Sequence, residues 1–179
     1  MRLDADAKNV FTAQGGGAEM SDSQIIREAC PGEAGALSAL ALRSKAHWGY
    51  ARDFLEACRN ELAVDGSRIG CADYRCFVAV QDEAIVGFYT LESMSAGVWE
   101  LDALFVEPAH IGTGIGRSLV QHALHILSQR GATRLVIQGD PNATEFYTAI
   151  GARQVGTRES GSIPGRLLPL FEIDIDRNR

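Results

Sequence analysis

Residues 107–124 read EPAHIGTGIGRSLVQHAL, and the HIGTGIG inside them decides how the rest of the chain is read. Gly112, Gly114 and Gly116 alternate between an apolar run, LDALFV, and a segment with Leu119, Val120, Ala123, Leu124 and Leu127 at helical spacing. Glycine costs conformational entropy at a helix start, so three of them there imply that something approaches the backbone closely. Strand, glycine-rich turn and helix start together expose N–H groups at the positive end of a helix dipole, a geometry that receives an anion. Two familiar phosphate loops do not fit. No Gly-Lys-Ser/Thr is present, and the spacing is G-x-G-x-G rather than the G-x-G-x-x-G that opens a dinucleotide-binding unit. A tight, closely packed turn accounts for the same glycines on local geometry alone.

Upstream of the turn, QIIREA reads as a first strand and GEAGALSALALRSKA as an amphipathic helix. HWGY interrupts that pattern, and ARDFLEACRNELAV resumes it with Phe54, Leu55, Cys58 and Leu62 along one side. CFVAV and AIVGFYTLE flank the polar QDE as a hairpin, and VWELDALFV is the next strand, stopped by Glu107-Pro108. Downstream, the helix runs to about Arg130 with Gly131 as a left-handed stop. RLVIQG is a strand, Asp140-Pro141 an N-cap followed by proline in the first turn, and PNATEFYTAI a short helix ending at Gly151. ARQVG and GRLLPLFEIDI close the chain as strands. In the latter, Phe171, Ile173 and Ile175 alternate with acids, and Pro169 predicts an irregular or edge strand.

The sum is one mixed α/β domain around a single sheet, residues 23–179 of the 179, after a flexible extension over 1–22. That extension is small, polar and glycine-bearing, and Met20 within it is an alternative natural start, which an N-terminal mass from native cells would settle. A hydrophobic fraction of 46% supplies a core, and a net charge of -6 argues against nucleic acid or an anionic membrane as partner. No apolar run is long enough to span a bilayer and no secretory signal pattern is present, so a cytoplasmic setting is expected. The four cysteines lack Cys-x-x-Cys spacing and read as free thiols. His122 and His125 fall on the wetter side of their helix without a carboxylate or cysteine beside them, so no metal site is expected.

A second stretch, GDPNATEFYTAIGARQVG, joins the first in pointing to a family. FVEP, IGTGIG and a long helix, followed by Asn142, the Phe146-Tyr147 pair and Gly151-Ala152, resemble the two core motifs of GNAT-superfamily N-acetyltransferases. The resemblance covers roughly Gln24 to Ile175. It implies a GNAT fold: a central mixed, mostly antiparallel sheet of about 6–7 strands with about four helices, splayed between the fourth and fifth strands (VWELDALFV and RLVIQG) to admit acetyl-CoA. It implies that Leu104, Phe105 and Val106 offer main-chain groups to pantetheine. The amides of Ile111, Gly112, Thr113, Gly114, Ile115 and Gly116 would take the pyrophosphate, and Asn142 and Tyr147 would lie beside the cofactor. One position departs from the pattern: Ile111 stands where the family usually has Gln or Arg. Losing that side chain removes a contact worth about 1 kcal/mol. Arg117, otherwise a solvated helix residue, is placed to supply the charge.

Acetyl transfer to an amine needs a neutral amine, a polarised carbonyl and a stabilised thiolate. By resemblance, Tyr147 is the acid near the sulfur, with a packing aromatic as the other reading. Glu100 is the candidate base and Asp102, two residues on along the same strand face, a candidate for holding the amine, with solubilising edge acids as the other reading. The resemblance also implies that the segment joining the first two helices walls the acceptor cleft, so that His47, Trp48 and Tyr50 would form an aromatic wall there, His47 as a second base candidate, although Trp48 also reads as a core anchor. The loop RESGSIPGR closes from the other side, where Arg158 and Arg166 are placed to meet an acceptor carboxylate. The expected function is direct acetyl transfer from acetyl-CoA to a primary amine of a small molecule or peptide. A non-catalytic acyl-CoA sensor of the same fold and use of a longer acyl donor stand as alternatives. A homodimer paired through the last strand is the assembly that the resemblance allows.

Overall fold

In the computed structural model, residues 24–175 are described, together with a two-residue strand at Phe11–Thr12; the other residues of the expected N-terminal extension lie outside the described residues. In chain order the elements are β1 (Phe11–Thr12), β2 (Ile25–Glu28), α1 (Ala34–Ala46), α2 (Arg52–Cys58), β3 (Tyr74–Gln81), β4 (Ala84–Ser95) and β5 (Val98–Val106). They continue with α3 (Ile115–Gln129), β6 (Arg134–Gln138), α4 (Thr144–Ala149), β7 (Arg153–Glu159) and β8 (Leu167–Asp174). The near-continuous apolar runs of the middle strands are explained by burial on both faces. Phe77, Tyr89, Leu91 and Leu101 meet Leu119, Val120 and Ala123 of α3 on one face. Tyr74, Cys76, Val78 and Phe88 meet Leu37, Leu40 and Cys58 of α1 and α2 on the other.

The sheet order is β1-β2-β3-β4-β5-β6-β8-β7. Every neighbouring pair is antiparallel except β5 and β6, which are parallel because α3 carries the chain back across the sheet. That is the expected mixed, mostly antiparallel sheet with four helices, with β1 as an added strand pairing Phe11 with Ile26.

Three expectations need correction. The second helix ends at Cys58 rather than continuing to Val64; the chain turns through residues 59–62, and Val64 donates its amide to Ser38 Oγ at 2.9 Å. The last strand is interior, flanked by β6 and β7. Pro169 is tolerated there because the β6 ladder ends at Gln138↔Leu170: its carbonyl still accepts from Gly139 N at 2.9 Å just past that end, and its missing N–H faces the same side, beyond the ladder. With β8 covered, the sheet edge falls to β7. Third, His122 is not on a wet helix face: it is 2% exposed, and its Nδ1 shares a 2.7 Å hydrogen bond with the Tyr89 hydroxyl. Burial lowers its pKa to about 4, so the ring is neutral at pH 7.

The fold's opening is set at β5. Its ladder with β6 runs from Val98↔Arg134 to Leu101↔Ile137 and stops, while its ladder with β4 continues to Val106. From Asp102 onward the β6 side of β5 has no strand partner. At the same point the β4 register shifts, Thr90 opposing Ala103 and Leu91 opposing Leu101, so Asp102 is an extra, bulged residue. The bulge slips the side-chain phase: Leu101, Leu104 and Val106 pack toward α3, while Ala103 and Phe105 pack toward α1 and α2. Uninterrupted alternation along VWELDALFV would have put Leu101 and Leu104 on opposite faces.

Candidate active site

The parted strands open a cleft of about 510 Å³. At one end lies the glycine turn. Gly112 and Gly114 have φ of +84° and +96°, left-handed conformations that side-chain-bearing residues rarely adopt, and a Cβ on either would meet nothing within 4 Å. Gly114 is the N-cap of α3, and the first intrahelical bond is donated by Ser118 to its carbonyl at 3.0 Å. The amides of Ile115, Gly116 and Arg117 therefore leave the helix start without intrahelical acceptors. Not every amide of the expected cradle is available: Ile111 N donates to Pro108 O and Thr113 N to His110 O, each at 3.3 Å. The side chain of Ile115 is in the core, whereas Ile111 and Arg117 line the cleft.

The middle of the cleft is walled by Leu104, Phe105, Val106, Asn142, Phe146 and Tyr147. Tyr147 packs against Phe146 and Phe171 at ring distances of 5.2 and 5.3 Å. Burial, with the Asp140 charge adding to it, pushes its phenol well above the usual range, so the hydroxyl stays protonated at any physiological pH. Gly139, read in the sequence only as the end of the strand RLVIQG, makes room for this ring. A Cβ there would lie 2.8 Å from Tyr147 Cε2 and 3.1 Å from Phe171 Cε2.

At the other end, Glu100 and Asp102 both line the cleft, with Trp48, Glu61, Tyr74 and Thr90. Glu100 accepts from Arg158 Nη1 at 2.6 Å. Asp102 accepts from Thr90 Oγ1 at 3.3 Å, and among the described residues no cation forms an ion pair with it. The surrounding protein, then the charges of Glu92 and Glu100, raise its pKa above the ordinary carboxylate value, although the cleft mouth leaves it reachable by solvent. Trp48 is 43% exposed, so it lines the cleft and anchors no core.

His47 and Tyr50 are not among the lining residues. His47 is exposed and stands edge-on to Trp48. Tyr50 turns its hydroxyl onto both oxygens of Asp140 at 2.9 Å and receives Arg166 Nη2 at 2.8 Å. The RESGSIPGR loop does reach across: Ser162 bonds Glu61, and Ile163 packs against the α1–α2 core. Both its arginines are engaged within the protein. Among the described residues, no three His, Cys, Asp or Glu side chains are grouped to hold a metal. No helix of these residues is long and apolar enough to cross a membrane.

An open mixed sheet that parts at the strand leading into a glycine turn defines a fold of the N-acetyltransferase class. Known proteins agree. Residues 43–152 match the acetyltransferase (GNAT) family. The peptidyl-lysine N-acetyltransferase YjaB of Escherichia coli K12 is 33% identical over 123 residues, which span 68% of this chain and 78% of that protein. Bovine thialysine N-epsilon-acetyltransferase is 26% identical over 151 residues, 75% of this chain and 87% of its own. The PaiA N-acetyltransferase of Thermoplasma acidophilum, solved in complex with coenzyme A, superposes with a TM-score of 0.69 at 20% identity, covering 87% of this chain and 99% of that one. The chain belongs to the GNAT family of acyl-CoA-dependent N-acetyltransferases.

Proposed function

We propose that the protein transfers the acetyl group of acetyl-CoA directly to a primary amine of a small molecule or a peptide. One observation carries the reading: the main chain of residues 102–106 loses its β6 partner inside the cleft, between the open amides at the start of α3 and the carboxylates of Glu100 and Asp102. Acyl-CoA fits the chain's own features. The space beside Gly112 and Gly114 is open, and the freed edge of β5 offers main-chain groups to an extended pantetheine. Arg117, at the cleft wall, supplies the cationic side chain that Ile111 lacks.

When bound, acyl-CoA supplies a thioester carbonyl open to attack. The chain's residues do the rest. Asp102 draws in the acceptor as an ammonium, which gives one proton to bulk water before the neutral amine attacks. Glu100, with one oxygen taken by Arg158, receives the amine proton on the other, directly or through water, as the new C–N bond forms and the C–S bond breaks. Tyr147 meets the departing sulfur. Because burial raises its pKa so far, its part is that of a neutral hydrogen-bond donor to the thiolate more than that of a full proton donor. The peptide-lysine and thialysine acceptors named for relatives suit a flexible primary amine entering past Trp48. Free thiols at Cys30, Cys58, Cys71 and Cys76 suit a cytoplasmic setting.

Ile111 favours a second reading, a sensor that binds acyl-CoA without turnover. Calorimetric titration with acetyl-CoA, then CoA release over a panel of free amines and lysine peptides, separates the two. Binding with turnover on one acceptor class supports the enzyme. Binding without turnover on any acceptor supports the sensor, and no binding removes both.

A further inference from the structure

Where β5 and β6 part, the sheet ladder that elsewhere joins neighbouring strands is missing. The α1–α2 wall packs on the β3–β5 side of this gap, whereas α4, β6 and β8 lie on the other. Something other than main-chain bonds must hold the two sides in register. Side chains cross the gap, Arg158 to Glu100 and Ser162 to Glu61 among them, and the carboxylate with the most partners is Asp140. Asp140, at the end of the β6 segment, accepts from Lys45 Nζ of α1 at 2.8 Å and from the hydroxyl of Tyr50 at 2.9 Å. It also accepts from the backbone and side-chain nitrogens of Asn142, both at 3.0 Å. Arg166, at the entry to β8, lies 3.7 Å from Asp140 and donates to Tyr50 at 2.8 Å. Lys45 and Asp140 are only 13% and 15% exposed, so water competes little for these bonds. Tyr50 also stacks on Phe54 of α2 at 4.3 Å, and the Arg166 guanidinium lies 4.8 Å from the Phe54 ring.

We propose that Asp140 and Tyr50 are positioning residues that lock the acceptor wall, Trp48 included, to the segment carrying Asn142 and Tyr147. The lock replaces the absent ladder and sets the distance between acceptor amine and thioester. Its catalytic consequence rests on the acetyl-transfer reading above; its mechanical consequence does not. Asp140 borders the cleft, but both of its oxygens are taken by protein donors. It acts through Lys45 and Tyr50 on one side and Asn142 on the other.

Two variants of the full chain test the lock. Asp140→Asn keeps the side chain's size and an oxygen for capping but removes the charge. Tyr50→Phe keeps the stack on Phe54 and removes only the hydroxyl. With the lock broken, amide hydrogen exchange over residues 47–58 should quicken about tenfold while exchange over 115–129 stays as in wild type. In turnover, acceptor KM should rise about tenfold for Asp140→Asn and about threefold for Tyr50→Phe, with kcat lowered and the calorimetric Kd for CoA within about twofold of wild type. Unchanged exchange over 47–58 overturns the proposal. So does faster exchange spread over the whole sheet, which marks a merely structural ion pair. A raised CoA Kd with unchanged acceptor KM also overturns it, by assigning the cluster to the other end of the cleft. A wild-type protein that turns over no acceptor sinks the acetyl-transfer reading, and the exchange measurement still decides the lock.

Discussion

At one end of the cleft, a single stretch from Glu107 to Arg117 supplies turn, cap and open amides; at the other, Trp48, Glu61, Glu100 and Asp102 arrive from separated segments. The first end is made by local backbone geometry, two positive-φ glycines and a helix start. The second is held by side chains, through Arg158 on Glu100, Ser162 on Glu61 and the Asp140 cluster. Local geometry survives changes elsewhere in the fold, whereas an assembled wall depends on every partner that brings it together. The two ends should therefore fail separately.

The largest separation is expected from Tyr147→Phe. Turnover should fall roughly 100-fold, the low end for losing a group that assists the reacting atoms, while calorimetric CoA affinity stays near wild type; unchanged turnover would remove Tyr147 from the chemistry. Acid should then distinguish the ends by stability. His122 lies midway along α3, the helix that the turn begins, with a folded pKa near 4 against an unfolded value near 6.5. Its stabilisation is therefore complete above about pH 6.5 and is lost progressively as pH falls toward 4. Between pH 7 and pH 5 it should cost roughly 2 kcal/mol in chemical denaturation, a slope that His122→Gln should flatten. The Asp140 cluster should persist over that range. Burial by itself would raise the Asp140 pKa, but the hydrogen bonds and charge of Lys45, with Asn142 and Tyr50, hold it below the usual carboxylate range. Its contribution is therefore lost only at more acid pH.

Gly139→Ala probes the junction of the two ends. The added methyl would collide with the Tyr147 and Phe171 rings, and a thermal melt should show a loss of roughly 1–3 kcal/mol. If Tyr147 is displaced as well, kcat should fall at temperatures where the variant is fully folded. The smallest effect is expected from Ile111→Arg, which restores a charged contact at the turn. CoA should bind about fivefold tighter, equivalent to roughly 1 kcal/mol, with acceptor KM unchanged. A shift in acceptor KM instead would mean that the two ends are coupled through the turn.

Much of the fold was legible because its signals are local. The glycine turn, the α3 stop at Gly131 and the capped turn at Asp140-Pro141 are set by residues within a few positions of one another, and each is where the sequence places it. His122 was misread because helical periodicity reports the centre of the buried arc but not its width, and the hydroxyl that makes burying an imidazole tolerable comes from Tyr89, 33 residues away. The strand of Pro169 is irregular, with a register shift against β7 beside it, but it is not an edge, because an edge is a property of the neighbours: whether a missing N–H matters depends on where β6 ends.

What the sequence determined by itself is the family, the central mixed sheet and the place of the glycine turn, since patterning and backbone preference act over short separations. The tertiary structure alone decided which side chains share the cleft. The bulge at Asp102 shifts the phase of β5, and Tyr50 is drawn out of the cleft lining onto Asp140, 90 residues further along the chain. Pairings of that kind are set by how the packed layers meet, and no stretch of sequence carries both partners.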